Sequence, residues 1–359
     1  MTETGTDPAE PAANPVLVEI WRGDILECAH RGTAAICTAE GELVAAWGDV
    51  GRVHLPRSAC KMIQALPLVE SGAADAAGLD ARHLALACAS HGGTEAHSTL
   101  IGPWLDGLGL GAAALRCGTH APLDGAARLQ MRETGQTPSQ IHHQCSGKHT
   151  GFLTLARHLG GGPEYHDPDH PVQRAVREAM AETSGDAPAG PAIDGCSAPN
   201  FAVTIKGLAT AMARYARPEA AFSGVRAAAM GRLVAAMKAH PVLIGYGASW
   251  ATRFTAITRG GTATKSGADG GFAAILPELG LGVAVKIDDG GDKAAAAVMA
   301  ALLARLGVLD PSDPAFKESA EAPVVNARGV VCGQLRVVPE LAGRNAVAGR
   351  LHEPSANAS

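Results

Sequence analysis

A serine and a lysine spaced three residues apart are the first candidates for chemistry. Ser58 and Lys61 lie where the sequence predicts the start of a helix, so their side chains would share one face. A serine becomes a nucleophile when a base takes its proton, and a lysine is a base only when it is neutral. The positive end of the helix would favour negative charge on the serine oxygen and a neutral lysine amine. Its free N–H groups would supply part of an oxyanion hole. This short pattern equally fits an N-cap serine followed by a surface lysine.

A second lysine follows much later, in the tripeptide Lys-Ser-Gly at 265–267, on a predicted strand. Serine β-lactamases and penicillin-binding proteins carry S-x-x-K, then a middle S-D-N, then K-T-G. This chain has similar first and third elements, in that order and on the expected kinds of element. Ser90 follows an apolar helix at a place where a middle hydroxyl would bridge Lys61 and Lys265, although S-D-N is absent. The alternative is an ordinary helix C-terminus with Gly92 as its cap.

Two cysteines, Cys145 and Cys196, lie in loops rich in Gly, His and Asp, each just before a predicted helix. Thiolates, imidazoles and carboxylates are ligands that suit zinc. The paired C-x₂-C and H-x₃-H spacings of structural zinc sites are absent, so two partly buried thiols remain an alternative. His91 and His97 also invite a metal, but such loop histidines more often satisfy backbone groups.

The elements that must position these residues follow a simple order of strands, helices, strands and helix. Glu40-Gly41 is a hairpin turn between two of the early strands. The two strand groups can pair into one antiparallel sheet with the helical middle packed around it, which is an α+β fold, an α/β sandwich. The predicted strands are 16–21, 33–38, 42–47, 253–259, 262–265, 271–276 and 282–287, with a hairpin in 324–338, and the predicted helices are 59–71, 81–89, 95–108, 148–159, 171–184, 201–215, 219–239 and 292–306.

Length and composition set the frame for this fold. The chain has 359 residues, 47% of them hydrophobic, and a net charge of −5, which is a globular balance and argues against binding to nucleic acid or an anionic membrane. We expect a disordered tail at 1–14, a single catalytic domain at 15–345 with a helical insertion at about 59–245, and a flexible tail at 346–359. The N-terminus lacks the pattern of a signal peptide, and the eight scattered cysteines indicate a reducing, cytoplasmic setting.

Several segments together resemble one known family, the asparaginase II family of class 3 or rhizobial-type L-asparaginases. The resemblance runs from about residue 17 to about residue 306, and the Cys-Ser-Gly-Lys-His string is its most specific part. The segments are Pro-Arg-Ser-x-x-Lys at 56–61, Ser-His-Gly-Gly at 90–93, His-His-Gln-Cys-Ser-Gly-Lys-His at 142–149, Asp-Gly-Cys-Ser-x-Pro at 194–199 and Lys-Ser-Gly-Ala-Asp-Gly at 265–270.

The resemblance implies a fold like serine β-lactamases and glutaminases, and hydrolysis of L-asparagine to L-aspartate and ammonia by a homodimer. It implies two Ser–Lys tandems, Ser58 with Lys61 and Ser90 with Lys265. It also implies one zinc ion per chain, and substrate-contacting or supporting roles around it. The implied zinc ligands are Cys145, Lys148 and Cys196, and the supporting residues are Arg57, His149 and Asp194.

On this reading Ser58 attacks the carboxamide, Lys61 takes its proton, and Ser90 and Lys265 relay protons to the leaving ammonia. Ser266, Ser197 and Ala198 depart from the residues common in the family, which puts strict asparagine preference in doubt. A glutaminase, β-lactamase or peptidase on the same scaffold is the first alternative. A zinc hydrolase in which bound hydroxide attacks is the second. A non-catalytic amino-acid-binding protein is the third, and the presence of all four Ser and Lys positions disfavours it.

Overall fold

The computed structural model describes residues 13–247 and 249–342. Two sheets and fourteen α-helices make up this part of the chain. The strands are β1 (Val16–Arg22), β2 (Ile25–Thr38), β3 (Leu43–Trp47), β4 (Val53–His54), β5 (Ala189–Ile193), β6 (Pro199–Thr204), β7 (Ala263–Ser266), β8 (Gly271–Leu276), β9 (Leu281–Ile287), β10 (Pro323–Val325) and β11 (Val331–Val337).

Helices fill the middle of the sequence and one stretch near its end. The helices are α1 (Lys61–Glu70), α2 (Ala73–Ala76), α3 (Ala81–Ala87), α4 (Glu95–Gly107), α5 (Gly125–Glu133), α6 (Ser146–His158), α7 (Pro171–Ser184), α8 (Ile205–Ala216), α9 (Gly224–Ala239), α10 (Pro241–Ile244), α11 (Trp250–Ile257), α12 (Asp292–Arg305), α13 (Pro314–Ala320) and α14 (Pro339–Ala342).

The main sheet joins the early and the late strands, as predicted. Its order is β10-β11-β1-β2-β9-β8-β7, all antiparallel, and β3 pairs with β2 off this path. The first half of the 14-residue β2 pairs with β1, and its second half pairs with β9 and β3. A small sheet, β4-β6-β5, lies apart. The predicted α+β class, with an antiparallel sheet built from both ends of the sequence, is confirmed.

The central strands are buried on both faces because helices cover both sides. Along β8 and β9, alternate residues enter two different hydrophobic clusters, as the two-residue period of a strand requires. One cluster contains α12, and the other contains the helical middle. The close contact of α8 with β9 needs a glycine, since a Cβ at Gly282 would lie 2.1 Å from the carbonyl oxygen of Ala209.

Helix α1 runs through the centre of the helical part. Nine of its ten residues are buried, including Lys61 at its first position. A helix that is buried all round must be apolar all round or must satisfy its polar groups locally. The α1 helix therefore fixes Lys61 firmly in the interior, where the polar groups around it decide its chemistry.

Two predicted elements are wrong. Segment 253–259 was expected as a strand because of its β-branched residues, but it lies largely in helix α11. Ser249 caps this helix by accepting from the Thr252 N–H at 3.2 Å, and Trp250 stacks on Phe254 one turn later. Segment 201–204, expected as helix, belongs to strand β6.

The two predicted tails lie mostly outside the described residues. Of the predicted tail at 1–14, only residues 13 and 14 are described, and the Asn14 side-chain amide donates to both carboxylate oxygens of Asp288 at 3.0 Å. The predicted tail at 346–359 lies wholly outside. Among the described residues no helix is both long and apolar enough to cross a membrane.

Candidate active site

Three separate parts of the chain bring Lys61, Ser90 and Lys265 together. Lys61 opens α1, Ser90 follows α3, and Lys265 lies on β7 at the edge of the main sheet. The Ser90 hydroxyl oxygen lies 3.0 Å from Lys61 Nζ and 2.9 Å from Lys265 Nζ. The middle hydroxyl that the sequence placed between two lysines is therefore found between them.

Lys61 makes three polar contacts with its Nζ. It donates to the carbonyl oxygen of Ala89, to Ser90 Oγ, and to Cys145 Sγ at 3.2 Å. Lysine carries up to three donors, so this side chain is fully satisfied without any carboxylate. Its contact with Cys145 also joins the Ser–Lys group to the cysteine loops.

Lys265 is buried beside this first amine. Its Nζ donates to the Ser266 carbonyl oxygen at 2.8 Å and contacts Ser90. Burial, and then the positive charge of Lys61, lower the pKa of Lys265 well below the ordinary lysine value. Within the described residues no carboxylate pairs with either lysine. A neutral Lys265 amine has a lone pair free to accept the Ser90 proton.

Ser58 lies in a 3₁₀ turn, Arg57–Cys60, that leads directly into α1. Its side chain is half-buried and makes no hydrogen bond with the described residues, while its backbone carbonyl accepts from the Lys61 N–H. The end of β7 packs on this turn so closely that a Cβ at Gly267 would lie 2.7 Å from the Pro56 carbonyl oxygen. Ser58 is thus the freer of the two serines.

Cys145, Lys148 and Cys196 form a second buried group, next to the first. Lys148 Nζ lies 3.2 Å from Cys196 Sγ. A hydrogen bond from Cys145, assisted by the Lys148 ammonium, lowers the pKa of Cys196 well below its usual value, and the same bond raises the pKa of Cys145. Burial lowers the pKa of Lys148, but the negative charge of the thiols raises it above the ordinary value on balance.

The donor set of this group fits a zinc ion. Two cysteine sulfurs and one amine nitrogen are soft or borderline ligands, and a buried nitrogen, His149 Nε2, has no hydrogen-bond partner among the described residues. The described part of the chain contains no group of three or more His, Cys, Asp or Glu side chains that could hold a metal. A zinc site here therefore depends on Lys148 as a ligand, and zinc stays a prediction.

Arg57 ties together the loops that carry these groups. Its guanidinium donates to Asp194 Oδ1 at 2.8 Å and to the Asp269 carboxylate. Arg57, Asp269 and Ser197 have positive φ values of 51°, 58° and 67°, a strained region for residues other than glycine. Such strain is characteristic of functional sites. A cavity of about 310 Å³, lined partly by Arg57, Asp269 and Lys286, opens beside the Arg57–Asp269 ion pair.

Two neighbours of the site were missed from sequence. Tyr165, fully buried, accepts from the Arg116 N–H at 2.6 Å and contacts His149 Nδ1 at 2.8 Å. Burial lowers the pKa of His149 to about 4, so this ring is neutral near pH 7. No spacing signal connects Tyr165 to the site, whereas Asp269 lay within the Ala-Asp-Gly stretch and carried a signal that was not used.

Comparison of the sequence with known protein families gives one match. A family model described as L-asparaginase II matches residues 18–337, which is most of the chain. No curated protein matches.

Solved structures with similar folds include a β-lactamase from Mycobacterium bovis, at 17% identity and a TM-score of 0.40, covering 76% of this chain and 94% of that one. They also include Mglu in its native form, at 17% identity and a TM-score of 0.43, covering 79% of this chain and 66% of that one. Mglu in a tris and glutamate form is similar at 16% identity, with a TM-score of 0.42 and coverage of 82% and 64%.

Proposed function

Because the chain belongs to the L-asparaginase II family, a family of asparaginase-type amidohydrolases, we propose that it hydrolyses L-asparagine to L-aspartate and ammonia through an acyl-enzyme. The observation that carries this mechanism is the Ser90 hydroxyl held at 3.0 and 2.9 Å between two buried lysine amines. Such an arrangement can accept a proton on one side and deliver it on the other.

In the first step Ser58 Oγ forms a bond to the carboxamide carbon, and its proton passes to Lys61, which has first given up one proton through Ser90 to the neutral Lys265 amine. The half-buried hydroxyl of Ser58 is free to approach a substrate, since no described residue engages it. Its backbone N–H has no backbone acceptor among the described residues, so it is available as one donor to the oxyanion. Apo geometry often tightens only when substrate binds.

In the second step the C–N bond breaks, and the leaving nitrogen takes a proton through Ser90. Lys61 and Lys265 flank this hydroxyl, so a proton lost by Ser90 to the substrate is replaced from a lysine. Water then cleaves the serine ester by the same route in reverse, releasing L-aspartate. Proton transfer by positioned groups contributes about 10²–10⁴-fold to such rates.

We propose that Cys145, Lys148 and Cys196 hold one zinc ion per chain, which when bound supplies positive charge to the amino-acid end of the substrate. The 3.2 Å approach of Lys148 Nζ to Cys196 Sγ supports this assignment, and Lys148 would release its ammonium proton on binding the metal. Arg57, Asp194 and His149 support the site by fixing its loops. A homodimeric, cytoplasmic enzyme is also proposed, and eight free cysteines fit a reducing setting.

Hydrolysis by the purified protein tests the function, measured as ammonia release from the amino-acid amides and as the colour change of the β-lactam. L-asparagine, L-glutamine and a chromogenic β-lactam are compared at equal concentration, with and without a chelator. We expect asparagine to be hydrolysed fastest. Faster turnover of glutamine or of the β-lactam would identify the protein as a glutaminase or a β-lactamase instead. No turnover of any of the three substrates would refute the proposal. Complete loss on chelation, with no covalent adduct, would favour attack by zinc-bound hydroxide. Light scattering of the same sample tests the dimer.

A further inference from the structure

We propose that His91 is a positioning residue. Its buried imidazole locks segment 88–94, which we call the Ser90 loop, onto segment 140–146, which we call the Cys145 loop. This inference rests on the proposed function only where it concerns rate. Its structural part, the lock between two loops, stands on contacts alone.

The hydrogen bonds of His91 define one tautomer. The Gly93 N–H donates to Nδ1 at 3.1 Å, so Nδ1 is unprotonated. Nε2 lies 2.9 Å from Ser146 Oγ, whose own proton goes to the Ile141 carbonyl oxygen at 2.7 Å. The Ser146 oxygen must therefore accept from a proton on Nε2. A neutral ring with no exposed surface satisfies both bonds at once.

The backbone around this ring makes the same connection. His91 N–H donates to the Gln144 carbonyl oxygen at 3.1 Å, and Ser90 N–H donates to the Ile244 carbonyl oxygen at 2.8 Å. The Ser90 loop is thus held between two other segments. One of them carries Cys145, which in turn contacts Lys61. The loop and one of its lysines are positioned against the same partner.

A second histidine supports the first. The His97 ring stacks on the His91 ring with centroids 4.7 Å apart and planes at 15°. His97 Nδ1 accepts from the Thr94 N–H at 3.2 Å, and Nε2 lies 3.2 Å from the Val242 carbonyl oxygen. Burial lowers the pKa of both rings, so two neutral imidazoles stack without repulsion.

The consequence for Ser90 is geometric. Its hydroxyl contacts both amines at once only when the Ser90 loop is correctly placed between Lys61 on α1 and Lys265 on β7. A displacement of about 1 Å of a reacting group can cost about 10²-fold in rate. Loss of the lock should therefore lower kcat more than it raises KM, because it displaces Ser90, which transfers protons, and removes no contact with the substrate.

Three variants separate the two bonds of His91. In H91Q the amide nitrogen reaches Ser146 as Nε2 does. In H91N the amide oxygen replaces Nδ1 toward Gly93, and H91L makes neither bond. We expect kcat for L-asparagine to fall about 10- to 100-fold in H91L, with KM changed less than about threefold. We expect H91Q to recover more activity than H91N, whereas a role confined to capping Gly93 predicts the reverse order.

Hydrogen exchange supplies a readout that does not need activity. In H91L the amides of His91, Gly93 and residues 141–146 should exchange at least about tenfold faster than in the wild-type protein. H158Q, at an exposed histidine outside both loops, is the control and should change neither loop. Unchanged exchange in both loops in H91L would overturn the lock, even if the wild-type protein proves to hydrolyse no amide. Full kcat in H91L would overturn the positioning role while leaving the proposed function intact.

Discussion

Replacing Lys265 with methionine should abolish activity and at the same time remove a large pH dependence of stability. Lys265 is buried, and burial together with the positive charge of Lys61 lowers its pKa well below the ordinary value. In the unfolded chain its pKa returns to about 10.4. Over the pH range between these two values, the unfolded state binds one more proton at this residue than the folded state.

The sign and size of the effect follow from that one proton. Because the unfolded state binds more protons, the free energy of unfolding rises with pH, by about 1.4 kcal/mol for each pH unit in this window. Between pH 7 and pH 8.5, Lys265 should contribute about 2 kcal/mol to this rise. Methionine binds no proton, so K265M should lose this contribution. The lost hydrogen bonds to Ser90 and to the Ser266 carbonyl shift the stability equally at every pH.

Urea unfolding at several pH values between 7 and 8.5 measures the difference. From pH 7 to pH 8.5 the free energy of unfolding of the wild-type protein should rise by about 2 kcal/mol more than that of K265M. K265M should therefore be relatively more stable at the lower pH. K293M, at an exposed lysine on α12, is the matched control and should follow the wild-type slope. If K265M also ran parallel to the wild type, Lys265 would be protonated in the folded protein and could not accept a proton from Ser90.

Three further outcomes are expected. S90A removes the hydroxyl between the two lysines and should lower kcat by about 10²–10⁴-fold with little change in KM, as steady-state ammonia release would show; a loss below tenfold would exclude the relay. S197G relieves a positive φ of 67° and should raise the free energy of unfolding in urea by about 1 kcal/mol, whereas a decrease would mean that the Ser197 side chain is needed. Metal-replete protein should contain one zinc ion per chain by elemental analysis, C196A should contain none and the control C37A should keep it; equal zinc in C196A would remove Cys196 from the ligand set.

The parts of the fold that sequence predicted well are those where one local rule dominates. Helix α7 begins at Pro171 and ends before Gly185, whose φ of 77° only glycine adopts easily, and both boundaries were predicted. Strands β8 and β9 were also predicted, because apolar β-formers are bounded there by turn residues. Helix α11 was missed because its β-branched residues point to a strand, while the helix signals of the Ser249 cap and of the Trp250–Phe254 pair one turn apart were not used.

The candidate site divides in the same way. Spacing alone predicted that Ser58 and Lys61 share one helix face, but Ser58 lies in the 3₁₀ turn before α1 and no hydrogen bond joins its side chain to Lys61 Nζ. Ser90 and Lys265 are 175 residues apart, and their 2.9 Å contact depends on how β7 packs against the helical part. Their pairing was inferred from the order of motifs. Tyr165 and the His91–Ser146 bond had no such order to follow, because they arise from loops whose course no local spacing specifies.

Mass spectrometry of the reacting serine tests the central claim most directly. Wild-type protein is mixed rapidly with L-asparagine, quenched in acid, digested and mapped. Covalent hydrolysis by Ser58 predicts a transient adduct, with the mass of asparagine minus ammonia, on the peptide that contains Ser58. It also predicts that S58A folds normally, forms no adduct and retains less than about one tenth of wild-type turnover. Turnover above that level in S58A, or an adduct on another residue, would contradict the account.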